Sequence, residues 1–275
     1  MKAGFYTILA TVVMAMMRKN TRLNRRKLVS ALRKGATGAL QVAAVCACAG
    51  IVISIVSITG LGLTFSSILI QLAHGDLFLL LVLSMIASLI LGMGLPATPC
   101  YIILAVLAAP AIVEMKISPL AAHLFVFYFG CISAITPPVA VAAYAGAAIA
   151  GSDPMRTGYT AWRLGLAAFI VPFMFIYGPP LIMVGTVLEI IQASVTALIG
   201  VAFLAASIQG FTLTRLVPAE RIFLFIAALL LIKAGWMTDL AGIAIGVTIA
   251  GVHIARYRKE RQPRRSGEVA VPGSR

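Results

Sequence analysis

The chain has 275 residues, 61% of them hydrophobic and 11% charged, with a net charge of +14. Soluble domains carry charge at roughly a quarter of positions, so a water-facing surface over most of this chain is excluded. The positive charge does not indicate nucleic acid either, because 15 of the 22 Lys and Arg fall in residues 18–34 and 256–275, each cluster beside an apolar stretch. That is the positive-inside pattern of a multi-pass membrane protein with both termini cytoplasmic, and lipid headgroups are the expected contacts of these clusters.

In chain order, the first apolar run covers residues 3–17. It is short against the ~20 residues a span needs. No small-residue cleavage site separates it from the basic cluster, which argues against a secretory leader. The run reads as the distal end of a helix, followed by a basic cytoplasmic loop, so that residues 1–34 form one unit. Further apolar stretches follow at 35–58, 61–73, 77–95, 101–113, 120–135, 139–150, 164–184, 188–208, 222–232 and 236–254. Residues 35–75 contain no Asp, Glu, Lys or Arg. Several stretches match a bilayer in length, but those in the middle are too short and are bounded by Gly and Pro. Re-entrant and discontinuous helices have this appearance. The predicted class is therefore an all-α polytopic membrane protein.

Two interruptions lie deep in apolar sequence. The first is Gly92-Met93-Gly94-Leu95-Pro96-Ala97-Thr98-Pro99. The second is Thr136-Pro137-Pro138, with Ser133 three residues ahead. Adjacent prolines remove two backbone donors and clash with the preceding turn, so no regular helix passes residues 136–138. In hydrocarbon the freed carbonyls need partners, and a cation beside the hydroxyls of Ser133, Thr136 and Thr98 would supply one. The plain alternative is a pair of packing kinks. A hairpin over about 76–114 that enters and leaves from outside, and an interrupted helix over about 119–151 that crosses inward, place Arg156, Arg163, Arg215 and Arg221 on the cytoplasmic side with the termini. Lys116 alone falls outside, and the depth of 61–73 stays open.

Residues 91–184 resemble the large permease of TRAP transporters, specifically the fused permeases that serve TAXI-type solute-binding proteins. The segments PLAAHLFVFYFG, SAITPPVA and AGSDPMRTG carry the resemblance most specifically, and residues 40–62 also look like the family. The resemblance implies uptake of a small organic anion driven by a Na⁺ or H⁺ gradient, with substrate delivered by an extracytoplasmic TAXI-type binding protein. It also implies a fold of two inverted repeats, each with a re-entrant hairpin and a broken helix. On this sequence the hairpin tip would be Gly92, Gly94, Pro96 and Thr98, and the break Thr136, Pro137 and Pro138. The choice between Na⁺ and H⁺ stays open at this point; where Na⁺ is the coupling ion it would sit at these positions, and no other cofactor is expected. Where related permeases show Thr-Thr after the hairpin proline, this chain has Ala97-Thr98 and then Pro99. Only the second repeat is recognisable, at residues 35–185. The chain thus reads as the C-terminal half of a fused permease, with further helices at 186–255 and a basic tail at 256–275. Its complementary N-terminal half would be a partner; a non-transporting remnant of such a permease is the alternative.

An intramembrane enzyme is the rival from another class, and it needs ionisable groups at mid-span. Glu114 and Asp153 lie at segment ends, Asp76 abuts a loop, and Glu189 opens a helix where its charge complements the dipole. His123 reads as a satisfied interfacial histidine. Cys46 and Cys48 point about 200° apart on a helix and cannot share a metal or a local disulfide. Nothing here assembles a catalytic set, and the chain is expected not to be an enzyme.

Overall fold

The computed structural model describes residues 2–17, 24–212, 215–232 and 235–261. Arg18, Lys19 and Arg22, and residues 262–275 of the basic tail, lie outside the described residues. The described residues are helical, with a single isolated bridge between Phe211 and Arg215 in place of any sheet. The chain divides into two units, residues 1–55 and 56–275.

In the first unit, α1 spans Lys2–Met17 and is followed by α2, Arg25–Thr59, whose last residues enter the second unit. The basic residues from Arg25 to Lys34 lie within α2, so the apolar stretch that starts at Gly35 is the continuation of a charged helical start. α2 is one of four helical stretches long and apolar enough to cross a membrane; the others are Pro154–Tyr177, Val187–Gln209 and Trp236–His253.

The second unit opens with α3, Leu61–Leu72, α4, Leu77–Gly92, and α5, Ala97–Leu107. A short α6, Ala109–Glu114, then leads to α7, Pro119–Ile132. The offset between α5 and α6 has a local cause: Pro110 offers no N–H to the carbonyl one turn back. α3 closes over this offset. Ser66 Oγ donates to Leu107 O at 3.1 Å, and a Cβ on Gly62 would stand 3.2 Å from Val106 O. Residues 61–72 thus pack on α5 at its junction with α6.

α7 is the centre of the core. Phe125, Val126 and Phe129 are fully buried, among Leu81 of α4, Leu104 of α5 and Ile112 of α6. Phe125 meets Phe129 with ring centroids 4.9 Å apart and Phe173 at 5.2 Å, both edge to face. Each such pair adds about 0.5–1.5 kcal/mol beyond the area it buries. The buried face of α4 carries Ser84, Ser88 and Gly92 at four-residue spacing, and small residues in that register let helices approach closely.

Beyond α7 come a 3-10 turn, Ser133–Ile135, then α8, Val141–Ala150, and α9, Pro154–Gly165. The apolar stretch 164–184 is not one uniform helix. It holds a 3-10 turn, Leu166–Phe169, then α10, Val171–Tyr177, and a second 3-10 turn, Pro179–Ile182. Pro172, Pro179 and Pro180 each delete a helix donor, and the helical run instead starts upstream at Pro154. The chain then forms α11, Val187–Gln209, α12, Pro218–Ile232, and α13, Trp236–Arg261, packed around Leu204, Ala227, Ala228 and Leu231.

Asp76, Asp153 and Glu189 act in helix caps. Asp76 accepts from Leu79 N at 2.7 Å and Asp153 from Arg156 N at 2.7 Å. Thr186 and Glu189 form a reciprocal capping box at the start of α11.

Candidate cation site at two helix breaks

The hairpin tip is the four-residue link between α4 and α5. Gly94 has φ +76, a left-handed conformation that glycine adopts without steric cost. Gly92 is required for a different reason. A Cβ there would lie 2.7 Å from Ser133 Oγ and 3.1 Å from Cys100 Sγ, closer than packing allows. Pro96 is the extended N-cap of α5. Pro99 stands in the first turn, where backbone N–H groups have no intrahelical acceptor and a missing one costs little. The departure from Thr-Thr to Ala97-Thr98-Pro99 is therefore compatible with the helix start. Thr98 is exposed on that turn.

The broken helix stops in stages. After α7, Thr136 N donates to Ser133 O at 3.1 Å, and the backbone turns extended at Thr136, with φ −101 and ψ 121. Pro137 and Pro138 follow, joined by a cis peptide bond. α8 resumes at Val141, whose N–H donates to Val139 O at 2.9 Å. Two side chains brace the gap: Thr136 Oγ1 donates to Ile132 O at 2.9 Å, and Tyr144 Oη donates to Pro138 O at 2.6 Å. α9 supports the gap as well, since a Cβ on Gly158 would meet Tyr144, Ala140 and Pro137.

The two breaks touch. Ser133, 1% exposed, places its hydroxyl 2.9 Å from Gly92 O and 2.6 Å from Gly130 O. Gly94 faces Val139, whose Cγ1 would be 3.7 Å from a Cβ at that glycine. Ser133, which sequence reasoning put among the cation-facing hydroxyls, here shares its one hydroxyl proton between Gly92 O of the hairpin and Gly130 O of its own helix. Pro96 and Thr98 have no hydrogen bond to the broken helix among the described residues. The carbonyls of Met93, Gly94, Leu95, Thr136 and Pro137 accept no hydrogen bond among the described residues. No Asp, Glu, His, Lys or Arg occurs in residues 92–99 or 133–140. The chemistry on offer is therefore that of neutral oxygen dipoles, suited to a hard cation.

His123 has its Nδ1 3.2 Å from Tyr101 Oη, so the imidazole has a hydrogen-bond partner.

Two polar clusters in the C-terminal helices escaped sequence reasoning. His253, 4% exposed, has Nδ1 3.4 Å from Glu220 Oε2 and Nε2 2.8 Å from Thr212 Oγ1. Asp239, 5% exposed, accepts from Gln192 Nε2 at 3.0 Å. Each joins residues 33 or more positions apart, and no local spacing signals such a pair.

A family profile described as "Tripartite ATP-independent periplasmic transporter, DctM component" matches residues 1–190. No curated protein and no solved structure matches the chain.

Proposed function

The chain belongs to the family of DctM components of tripartite ATP-independent periplasmic transporters, and on that premise we propose that its two touching helix breaks bind the Na⁺ that drives uptake of a small organic anion. The chain is a multi-pass membrane transport component; components of this family work with a solute-binding protein and a small permease partner. The observation that carries the proposal is the meeting of the two breaks through Ser133 and Gly92, beside carbonyls that no amide satisfies. In an apolar setting such carbonyls are costly unless paired. With no titratable side chain in either break, a proton has nowhere to reside, whereas Na⁺ is coordinated by carbonyl and hydroxyl oxygens. Thr98 and Thr136 would contribute hydroxyl oxygens beside these carbonyls.

The finer reading follows the same logic. The hairpin is re-entrant from the extracytoplasmic side, where a TAXI-type binding protein presents the anion. The basic segments keep both termini cytoplasmic in a bacterial or archaeal inner membrane. The described residues hold one hairpin and one broken helix, and alternating access needs an inverted counterpart facing them. That counterpart would come from a complementary permease half.

The test is the double substitution Pro137→Ala/Pro138→Ala in the complete reconstituted transporter. Restored backbone donors favour a continuous helix and consume the free carbonyls. Gradient-driven uptake is expected to fall to background while membrane insertion persists. Unchanged uptake would reduce the break to a packing kink.

A further inference from the structure

A cleft of about 840 Å³ opens between α9, the end of α11 and the start of α12. Its lining includes Tyr159, Trp162, Arg163, Arg221, Ile222 and Phe225. If the apolar stretches that follow Arg163 and Arg221 mark the hydrocarbon, the cleft opens at a membrane surface. Arg163 immediately precedes the apolar stretch 164–184, and Arg221 immediately precedes 222–232. α11 ends at the same level, because Gln209 Nε2 donates to Arg163 O at 3.3 Å.

Arg221 is held in place by the end of α11. Its Nε donates to Ser207 O at 2.9 Å and its Nη2 to Ile208 O at 3.0 Å, while Ser207 Oγ donates to Arg221 O at 2.7 Å. Two of five guanidinium donors are spent there, and the others are left for a ligand. Neither Arg163 nor Arg221 pairs with a carboxylate among the described residues. Two cations therefore share one cleft at the edge of the hydrocarbon with no protein counter-charge, an arrangement that a bound anion would relieve.

The walls select the kind of anion. Trp162 and Tyr159 are ring systems of the sort that settle at headgroup depth, and Ile222 and Phe225 are exposed apolar side chains that continue along α12. A small soluble anion would satisfy the arginines and leave that wall uncovered. A lipid satisfies both. We propose that the cleft is a binding site for an anionic phospholipid, its phosphate held by Arg163 and Arg221 and an acyl chain lying along Ile222 and Phe225.

The experiment compares the full chain in nanodiscs of phosphatidylethanolamine with and without phosphatidylglycerol, counting retained lipid by native mass spectrometry after extraction. The wild-type chain is expected to retain phosphatidylglycerol in preference to phosphatidylethanolamine. Arg163→Gln removes a charge whose side chain braces no described contact, so the fold should persist while retention falls about fivefold. Arg156→Gln, on the same helix but outside the cleft lining, should leave retention unchanged. Inorganic phosphate titrated against delipidated chain should not raise the melting temperature as phosphatidylglycerol does. Equal retention of both lipids, equal loss in the Arg156 variant, or equal stabilisation by phosphate alone would each overturn the assignment.

Discussion

The hairpin region and the C-terminal helices place their polarity differently. Between Leu61 and Ala150 the helices are short, the interruptions are made by glycine and proline, and the polar groups at the breaks are backbone carbonyls and small hydroxyls. From Val187 onward the helices run 23, 15 and 26 residues, and the buried polarity includes the ionisable side chains Glu220, Asp239 and His253. The proposed cation site rests on unpaired backbone carbonyls at the breaks, whereas the side-chain pairs His253–Glu220 and Gln192–Asp239 tie the C-terminal helices to one another.

This contrast can be broken by substitution. The largest effect is expected from Gly92→Val, whose side chain must enter the space of Ser133 Oγ and Cys100 Sγ. Overpacking of this kind costs about 1–3 kcal/mol, read as a fall in the denaturation midpoint in detergent, with uptake lost. His253→Leu should cost about 2 kcal/mol by leaving Glu220 and Thr212 without an imidazole partner. The contrast requires that its uptake, corrected for folded protein, keep the wild-type cation dependence. Ser133→Ala removes the tie to Gly92 O and should cost about 1 kcal/mol, with uptake falling further than that loss explains. Thr98→Ala should change stability by less than about 0.5 kcal/mol, since the residue is exposed. The cation concentration for half-maximal uptake should nevertheless rise.

The backbone breaks were legible in the sequence because Gly94, Pro96, Pro137 and Pro138 act locally, through φ and through missing donors. The caps at Asp153 and Glu189 were legible for the same reason. Ser133 was correctly placed beside the break, but its bond to Gly92 O spans 41 residues and depends on how α4 meets α7. The apolar stretch 164–184 looks continuous in hydropathy, but Pro172, Pro179 and Pro180 divide it into 3-10 turns and α10, which no hydropathy pattern signals. Arg163 and Arg221 read from sequence only as cytoplasmic charges, because their shared cleft depends on how α9 and α12 pack.

The most direct measurement is radioactive Na⁺ binding to the purified full chain, compared across the wild type, Pro137→Ala/Pro138→Ala and Asp239→Asn. If the backbone at the two breaks holds the cation, binding disappears in the double proline variant and persists when the buried carboxylate of α13 is neutralised. Binding that survives the proline substitutions and vanishes with Asp239→Asn would contradict the account and move the cation into the C-terminal helices.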